Sequence, residues 1–238
     1  MTGLAMGRRG FLGGTLAAGA LSAHRGWAGA SVGPLTPTPR GKMNVAFAIS
    51  NDATVIDFCG PWEVFQDVTV EARGPDPEND QSPFHLFTVA AEKAPVRVTG
   101  GMQIVPDFTV DTAPAPHVVV VPALRHSPPL LEWLKKTSLT ADIVMSVCTG
   151  AFALGRAGLL GDGPATTHHR FVDQLAQQFP AVKVERGRRF VERERLATAG
   201  GLTSGIDLAL RVVERYFGRP IALQTAEYME YQSRAWVV

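Results

Sequence analysis

Four consecutive valines, Val118-Val119-Val120-Val121, constrain the fold of this chain more than any other stretch of it. β-branched side chains favour extended backbone, and alternate residues of a strand face opposite ways. An unbroken apolar run is therefore apolar on both faces and needs helices above and below it, the environment of a strand inside a parallel sheet. Further runs of strand character recur at Met43 to Ile49, Phe84 to Ala90, Ile143 to Val147 and Leu196 to Ala199. Between and after them, helices are predicted over Pro61 to Val68, Pro128 to Lys136, Ala151 to Ala157, Phe171 to Phe179, Thr203 to Phe217 and Ile221 to Tyr228. This alternation predicts an α/β fold with a mostly parallel central sheet. Gly100-Gly101, set between short β-prone runs in Val96 to Val110, reads as a hairpin arm, and Glu71 to Ser82 as a polar connecting loop. No internal repeat or second compositional regime divides the chain, and 238 residues at 45% hydrophobic content suffice for one domain with a sizeable core.

The first 30 residues differ from the rest. Gly7-Arg8-Arg9-Gly10-Phe11-Leu12 sets paired arginines before an apolar, small-residue stretch ending near Leu21, and Ala28-Gly29-Ala30 has the small-x-small pattern of a cleavage site. This is the form of a twin-arginine export signal over residues 1–30, an address for moving folded proteins out of the cytoplasm. The apolar run is too short for a bilayer span, which takes about 20 residues. The expected mature chain begins near Ser31, passes through a Pro-rich linker over residues 31–42 and continues as one domain over 43–238. Its expected place is the periplasm or another exported location, with no stable membrane insertion once the signal is cleaved. Arg8, Arg9 and Arg25 are the only charged residues of the signal, and without them 20 basic face 22 acidic side chains, a balance that gives no reason to expect a nucleic-acid partner.

In open α/β sheets, ligands bind beyond the carboxyl ends of the strands. Two such segments carry chemistry. Cys148 lies in Ser146-Val147-Cys148-Thr149-Gly150, on the turn from a strand-like run into a helical one. A lone cysteine is more often a small buried hydrophobe. On this turn, however, the thiol faces the free N–H groups of a helix start, which favour thiolate and make a nucleophile. Asp57, in Val55-Ile56-Asp57-Phe58-Cys59-Gly60-Pro61, follows the first strand and lies at the start of a helix opened by Pro61. It is either a helix cap or a carboxyl group desolvated by Ile56 and Phe58, whose raised proton affinity suits acid or base work beside the thiolate. Nearness to Cys148 separates the two readings.

Four motifs occur in one order: Asp57-Phe58-x-Gly60-Pro61-x-Glu63-Val64-Phe65, the turn at Cys148, Ala165-Thr166-Thr167-His168, and Ala199-Gly200-Gly201-x-x-Ser204-Gly205-Ile206-Asp207-Leu208-Ala209-Leu210. Together they resemble the DJ-1/PfpI superfamily, and within it the isonitrile hydratase branch, also found as the sensing domain of some AraC-type regulators. The resemblance runs from about Met43 to Tyr231. It implies a flavodoxin-like three-layer α/β/α sandwich with the cysteine on a nucleophile elbow, usually as a homodimer, and chemistry without metal, nucleotide or organic cofactor. It also implies Cys148 as nucleophile, Asp57 as paired acid/base and Thr149 as an assisting group, in a small-molecule pocket with Gly60, Trp62, Ala123, Leu124, Gly150 and His168. The implied reaction is hydration of an isonitrile to an N-substituted formamide. A ligand-binding or stress-sensing module without turnover, and a glyoxalase- or deglycase-like enzyme, are the alternatives. The regulators carry a C-terminal helix-turn-helix domain, for which a chain ending at Val238 is expected to leave no room.

Departures from the family pattern narrow the reading. Thr149 stands where the peptidase and chaperone branches place a histidine, which disfavours a Cys-His peptidase. Pro122-Ala123-Leu124 replaces a common Pro-Gly-Gly, so Leu124 is expected to narrow the pocket. Cys59 is either a small buried residue or a resolving thiol for Cys148. His168 and His169 lack the ligand spacing of a zinc site, and no metal is expected. Asp207 is expected to cap or anchor its helix, and Arg186, Arg188 and Arg189, among Glu185, Glu192 and Glu194, to form a solvated mixed-charge surface.

Overall fold

The computed structural model describes residues 32–38, 41–71 and 82–238; the twin-arginine segment and most of the polar loop lie outside them. In chain order the elements are β1 (Met43–Ala48), α1 (Val55–Gln66), β2 (Phe84–Ala90), β3 (Val96–Arg97), β4 (Gln103–Ile104), β5 (Phe108–Thr109), β6 (Val118–Val121) and α2 (Pro128–Thr137). There follow β7 (Ile143–Ser146), α3 (Gly150–Arg156), β8 (Pro164–Ala165), α4 (Val172–Gln178), β9 (Lys183–Val184), β10 (Phe190–Glu192), β11 (Leu196–Ala199), α5 (Ser204–Phe217) and α6 (Arg219–Tyr228).

The main sheet has the order β10-β11-β7-β6-β1-β2-β5 and is parallel except at β10, which pairs antiparallel with β11. Its inner strands, β2-β1-β6-β7-β11, follow the flavodoxin-like order 2-1-3-4-5, with the reversal of winding between β1 and β6. The valine run is β6, held between β1 and β7. Val118 and Val120 join Val45, Phe47, Ile143 and Met145 in a core shared with α1, α5 and α6, whereas Val119 and Val121 pack with Ala46, Ala48 and Val144 against α2, α3 and α4. Period-two alternation along the strand thus builds both cores. Each valine is fully buried, a transfer from water that contributes roughly 1.5–3 kcal/mol per side chain.

Several expectations are corrected. α1 begins at Val55, not Pro61. Proline suits the first turn of a helix because it lacks an N–H there; here it lies inside α1, where the missing donor leaves the Asp57 main-chain carbonyl without its helical partner. Asp57 lies at the start of the helix, as expected, as its third residue. The hairpin is shorter than Val96 to Val110: β3 and β4 pair across Gly100 and Gly101, both at positive φ, but Phe108–Thr109 pairs parallel with β2 at the sheet edge. Part of the linker is docked rather than free. The Leu35 N–H donates to the Arg215 carbonyl at 2.8 Å, and Arg215 Nε donates to the Gly33 carbonyl at 3.0 Å. The arginines also divide, since Arg186 pairs with Asp173 at the surface while Arg189 reaches inward to fully buried Asp207. Among the described residues no helix is long and apolar enough to cross a membrane.

Candidate active site

Four strand ends converge beside the point where the winding reverses. Asp57 comes from the first turn of α1 after β1, Ala123 from the loop after β6, Cys148 from the turn after β7, and Gly200 to Leu202 from the loop after β11. Cys148 has φ 58°, left-handed backbone that is unfavourable for a side-chain-bearing residue and persists only when neighbours enforce it. Its N–H donates to the Gly200 carbonyl at 2.6 Å, and its carbonyl accepts from Thr167 Oγ1 at 2.8 Å. Gly150 completes the elbow: a Cβ there would lie 2.1 Å from the Val121 carbonyl oxygen, so only glycine lets α3 press against the end of β6.

The Asp57 side chain is sealed from solvent. Its Oδ2 accepts from the Ala123 N–H at 3.1 Å, while Oδ1 has no well-formed hydrogen bond. Burial raises the carboxyl to about 6 from its ordinary 3.8; the Ala123 N–H, the Cys148 thiol and the Leu202 N–H, in that order, offset part of the effect. Cys148, 7% exposed, moves in the direction opposite to the one expected from a helix start. The N–H groups of Thr149 and Leu202 favour thiolate, but burial and the negative charge of Asp57 outweigh them and push the thiol up to about 11. At neutral pH the pair therefore rests as a thiol beside a carboxylate. The proton sits on sulfur, and the base that can take it is buried next to it.

The remaining candidate residues divide. Ala123 acts through its backbone: its N–H holds Asp57, and its carbonyl accepts from the Thr54 N–H at 2.9 Å. Leu124 is half-buried and touches both cores. Gly60 is a packing position, where a Cβ would meet Ile206 at 2.9 Å. Trp62, expected to shape the pocket, packs instead on Phe47 with ring centres 4.8 Å apart, because it projects from α1 well round the axis from Asp57. Thr149 occupies the N-cap position of α3 without a side-chain capping hydrogen bond, and its side chain is half-exposed. Cys59 and Cys148 are free thiols, and Cys59, two positions and about 200° from Asp57 on α1, projects to the other side of the helix.

A groove of about 350 Å³ adjoins the elbow, lined by Thr167, His168, Arg188, Gly200 and Leu202 among others. The residue overlooked in the sequence is Leu202. It holds left-handed backbone, φ 54°, and its N–H acts on both Asp57 and Cys148. The signal for it was the Gly200-Gly201 doublet just before it, where a Cβ on Gly201 would lie 2.2 Å from the His168 ring. Among the described residues no group of three or more His, Cys, Asp or Glu side chains is arranged to hold a metal ion.

Residues 43–215 match the DJ-1/PfpI family. The chain belongs to that family. Among its DJ-1/PfpI relatives, the isonitrile hydratase of Pseudomonas putida is 31% identical over 195 residues, which cover 79% of this chain and 78% of the hydratase. The HTH-type transcriptional regulator GbdR of Pseudomonas aeruginosa is 24% identical over 201 residues, or 82% of this chain, and the chain spans about half of that regulator's length, 53%. A ThiJ/PfpI family protein from Pseudomonas syringae has a crystal structure that superposes with a TM-score of 0.70 at 26% identity, covering 81% of this chain and 76% of that one. The DJ-1/PfpI fold of these neighbours agrees with the flavodoxin-like sandwich described above.

Proposed function

We propose that this protein is a cofactor-independent, cysteine-dependent hydratase that converts an isonitrile to an N-substituted formamide. The observation that carries the reading is the buried Cys148–Asp57 pair, in which a raised carboxyl faces a thiol on a strained elbow. Sulfur attacks the terminal carbon of the isonitrile while Asp57, as carboxylate, takes the thiol proton and delivers it to that carbon, giving a thioimidate. Asp57 then takes one proton from water as the hydroxide adds to the same carbon, and passes it to the imine nitrogen. The carbon–sulfur bond breaks as the new hydroxyl becomes the formamide carbonyl, its proton returns to sulfur, and the N-substituted formamide leaves. Similarity to the Pseudomonas putida isonitrile hydratase supports this substrate class.

The export signal and a homodimeric state belong to the same proposal. In an oxidising compartment, a thiol held protonated and buried resists oxidation, since the thiolate is the vulnerable form. The sensing alternative draws support from the regulator relatives and from that same raised thiol, which is suited to binding without turnover. The deciding experiment is formamide production from an alkyl isonitrile by the wild type and by Cys148→Ala. Turnover is expected in the first alone, with kcat/KM rising through about pH 6 as Asp57 loses its proton and staying level to pH 9. Ligand binding with no formamide from the wild type would favour the sensing module.

A further inference from the structure

The loop after β11 grips the reacting pair through its backbone. The Gly200 carbonyl receives the Cys148 N–H at 2.6 Å, and the Leu202 N–H reaches both Cys148 and Asp57. Between these two residues stands Gly201, and the His168 ring occupies the space that a side chain there would fill. A Cβ on Gly201 would lie 2.2 Å from Cδ2 of that ring and 3.0 Å from Nε2. The ring is itself fixed: Nδ1 accepts the Arg170 N–H at 3.3 Å, and the His169 and Phe171 rings lie 4.3 Å and 5.7 Å from it, centre to centre. Burial first, and then His169 and Arg170, lower its proton affinity, so a neutral imidazole rests on the backbone with no charge to solvate. One residue earlier, the Thr167 hydroxyl donates to the Cys148 carbonyl at 2.8 Å. Residues 167 and 168 thus hold the elbow and the loop that faces it.

We propose that His168 is a positioning residue, whose ring, lodged against Gly201, holds the loop so that the Leu202 N–H stays on Cys148 and Asp57. The ring acts by its shape and not by giving or taking a proton. Without it Gly201 loses its wall, and a displacement of about 1 Å in a supporting group can cost about a hundredfold in rate. The electrostatic consequence has a definite sign. The groups acting on Asp57 are the Ala123 N–H, the Cys148 thiol and the Leu202 N–H, with no basic side chain among them, and all three favour carboxylate. Withdrawing the Leu202 N–H therefore raises the proton affinity of Asp57 further. For its effect on turnover this role rests on the hydratase reading; for its effect on Asp57 it does not.

The test compares substitutions in the full chain. His168→Ala removes the ring, His168→Asn keeps an acceptor for the Arg170 N–H but no ring, and His168→Phe keeps a ring without the acceptor. Gly201→Ala leaves His168 in place and adds a methyl group that forces loop and ring apart. In His168→Ala, His168→Asn and Gly201→Ala, kcat/KM for an alkyl isonitrile should fall roughly 10–100-fold. Its ascending limb should move from about pH 6 to higher pH by roughly one unit, the scale of one lost hydrogen bond to a charged group. His168→Phe should recover most of the rate and return the limb to its original position. Carbon NMR of labelled aspartate, with the Asp57 signal assigned by its loss in Asp57→Asn, reads the same midpoint without substrate. A His168→Phe variant as impaired as His168→Ala would overturn the proposal, because the ring would then act through a polar contact. Unmoved midpoints in both His168→Ala and Gly201→Ala would overturn it too, because the loop would then hold itself. If the wild type turns over no isonitrile, the hydratase reading fails alone, and the NMR midpoints of the same variants decide the role of His168.

Discussion

Two aspartates sit in the first turns of two helices, Asp57 in α1 and Asp207 in α5, and both are fully buried. Their surroundings differ. Both oxygens of Asp207 are satisfied, Oδ2 by Arg189, with Nε at 2.7 Å, and Oδ1 by the Ser233 hydroxyl at 2.8 Å. Asp57 has one backbone N–H on Oδ2, an Oδ1 without a well-formed hydrogen bond, and no basic side chain among the groups that shift its proton affinity. A buried carboxylate whose lone pairs are all engaged is fixed in place and in charge. One left short keeps a high proton affinity and the freedom to exchange a proton with its neighbour. The first arrangement ties the β10 side of the sheet to α5 and the C-terminal segment; the second can do chemistry.

If this distinction holds, exchanging each acid for a neutral residue should have opposite effects. The largest effect is on activity. Asp57→Asn removes the buried carboxylate beside the Cys148 thiol, so isonitrile hydration should fall by about 10²–10⁴, the usual contribution of a positioned acid or base. Asp207→Asn should retain most of the turnover. Equal losses in the two variants, measured as kcat/KM, would erase the contrast.

The next effect is on stability and falls on the other residue. Asp207→Ala leaves Arg189 without its carboxylate and Ser233 without its acceptor. Breaking a buried pair costs about 3–5 kcal/mol, but the Arg189 side chain is 40% exposed and water compensates part of that loss. A destabilisation of about 2–3 kcal/mol is expected by denaturant titration. A change below 0.5 kcal/mol would mean that the contact does not anchor the helix.

The contrast between the two acids also marks how far the residues alone can be read. The sheet was legible because Val118 to Val121 and the other apolar runs carry their own periodicity, and a strand buried on both faces leaves few architectures. Cys148 was legible because the change from strand-like to helical spacing falls on it. The start of α1 was not, since the preference of proline for a first turn is local, whereas tertiary packing carries the helix back to Val55. Arg189 and Asp207 are 18 residues apart and looked like surface charge and helix cap; only the packing of β10 beside α5 brings them together. The direction of the Cys148 shift was missed for a related reason. A helix start is visible in the residues, but desolvation depends on everything packed around the thiol, and here it outweighs the N–H groups. Leu202 acts through its backbone, which residue type does not advertise.

The smallest effect is the most discriminating, because it requires that the same substitution which abolishes activity should stabilise the fold. The carboxyl of Asp57 has a higher proton affinity in the folded chain, about 6, than the ordinary 3.8. Between those values the folded state binds more protons than the unfolded state, so stability falls as pH rises through the interval and remains at its lower level above it. A shift of about two units corresponds to roughly 3 kcal/mol. Asparagine has no such penalty and can still accept the Ala123 N–H, but its amide group would lack a good acceptor where Oδ1 now sits, which takes back about 1–2 kcal/mol. Asp57→Asn should therefore be more stable than the wild type by about 1 kcal/mol at pH 8, with that margin lost by pH 4, where Asp57 is protonated in the folded chain too. Thermal or urea unfolding at the two pH values measures it. An Asn variant less stable than the wild type at pH 8 would show that Asp57 is held as a structural charge, like Asp207, and would remove the physical basis for assigning it the role of base.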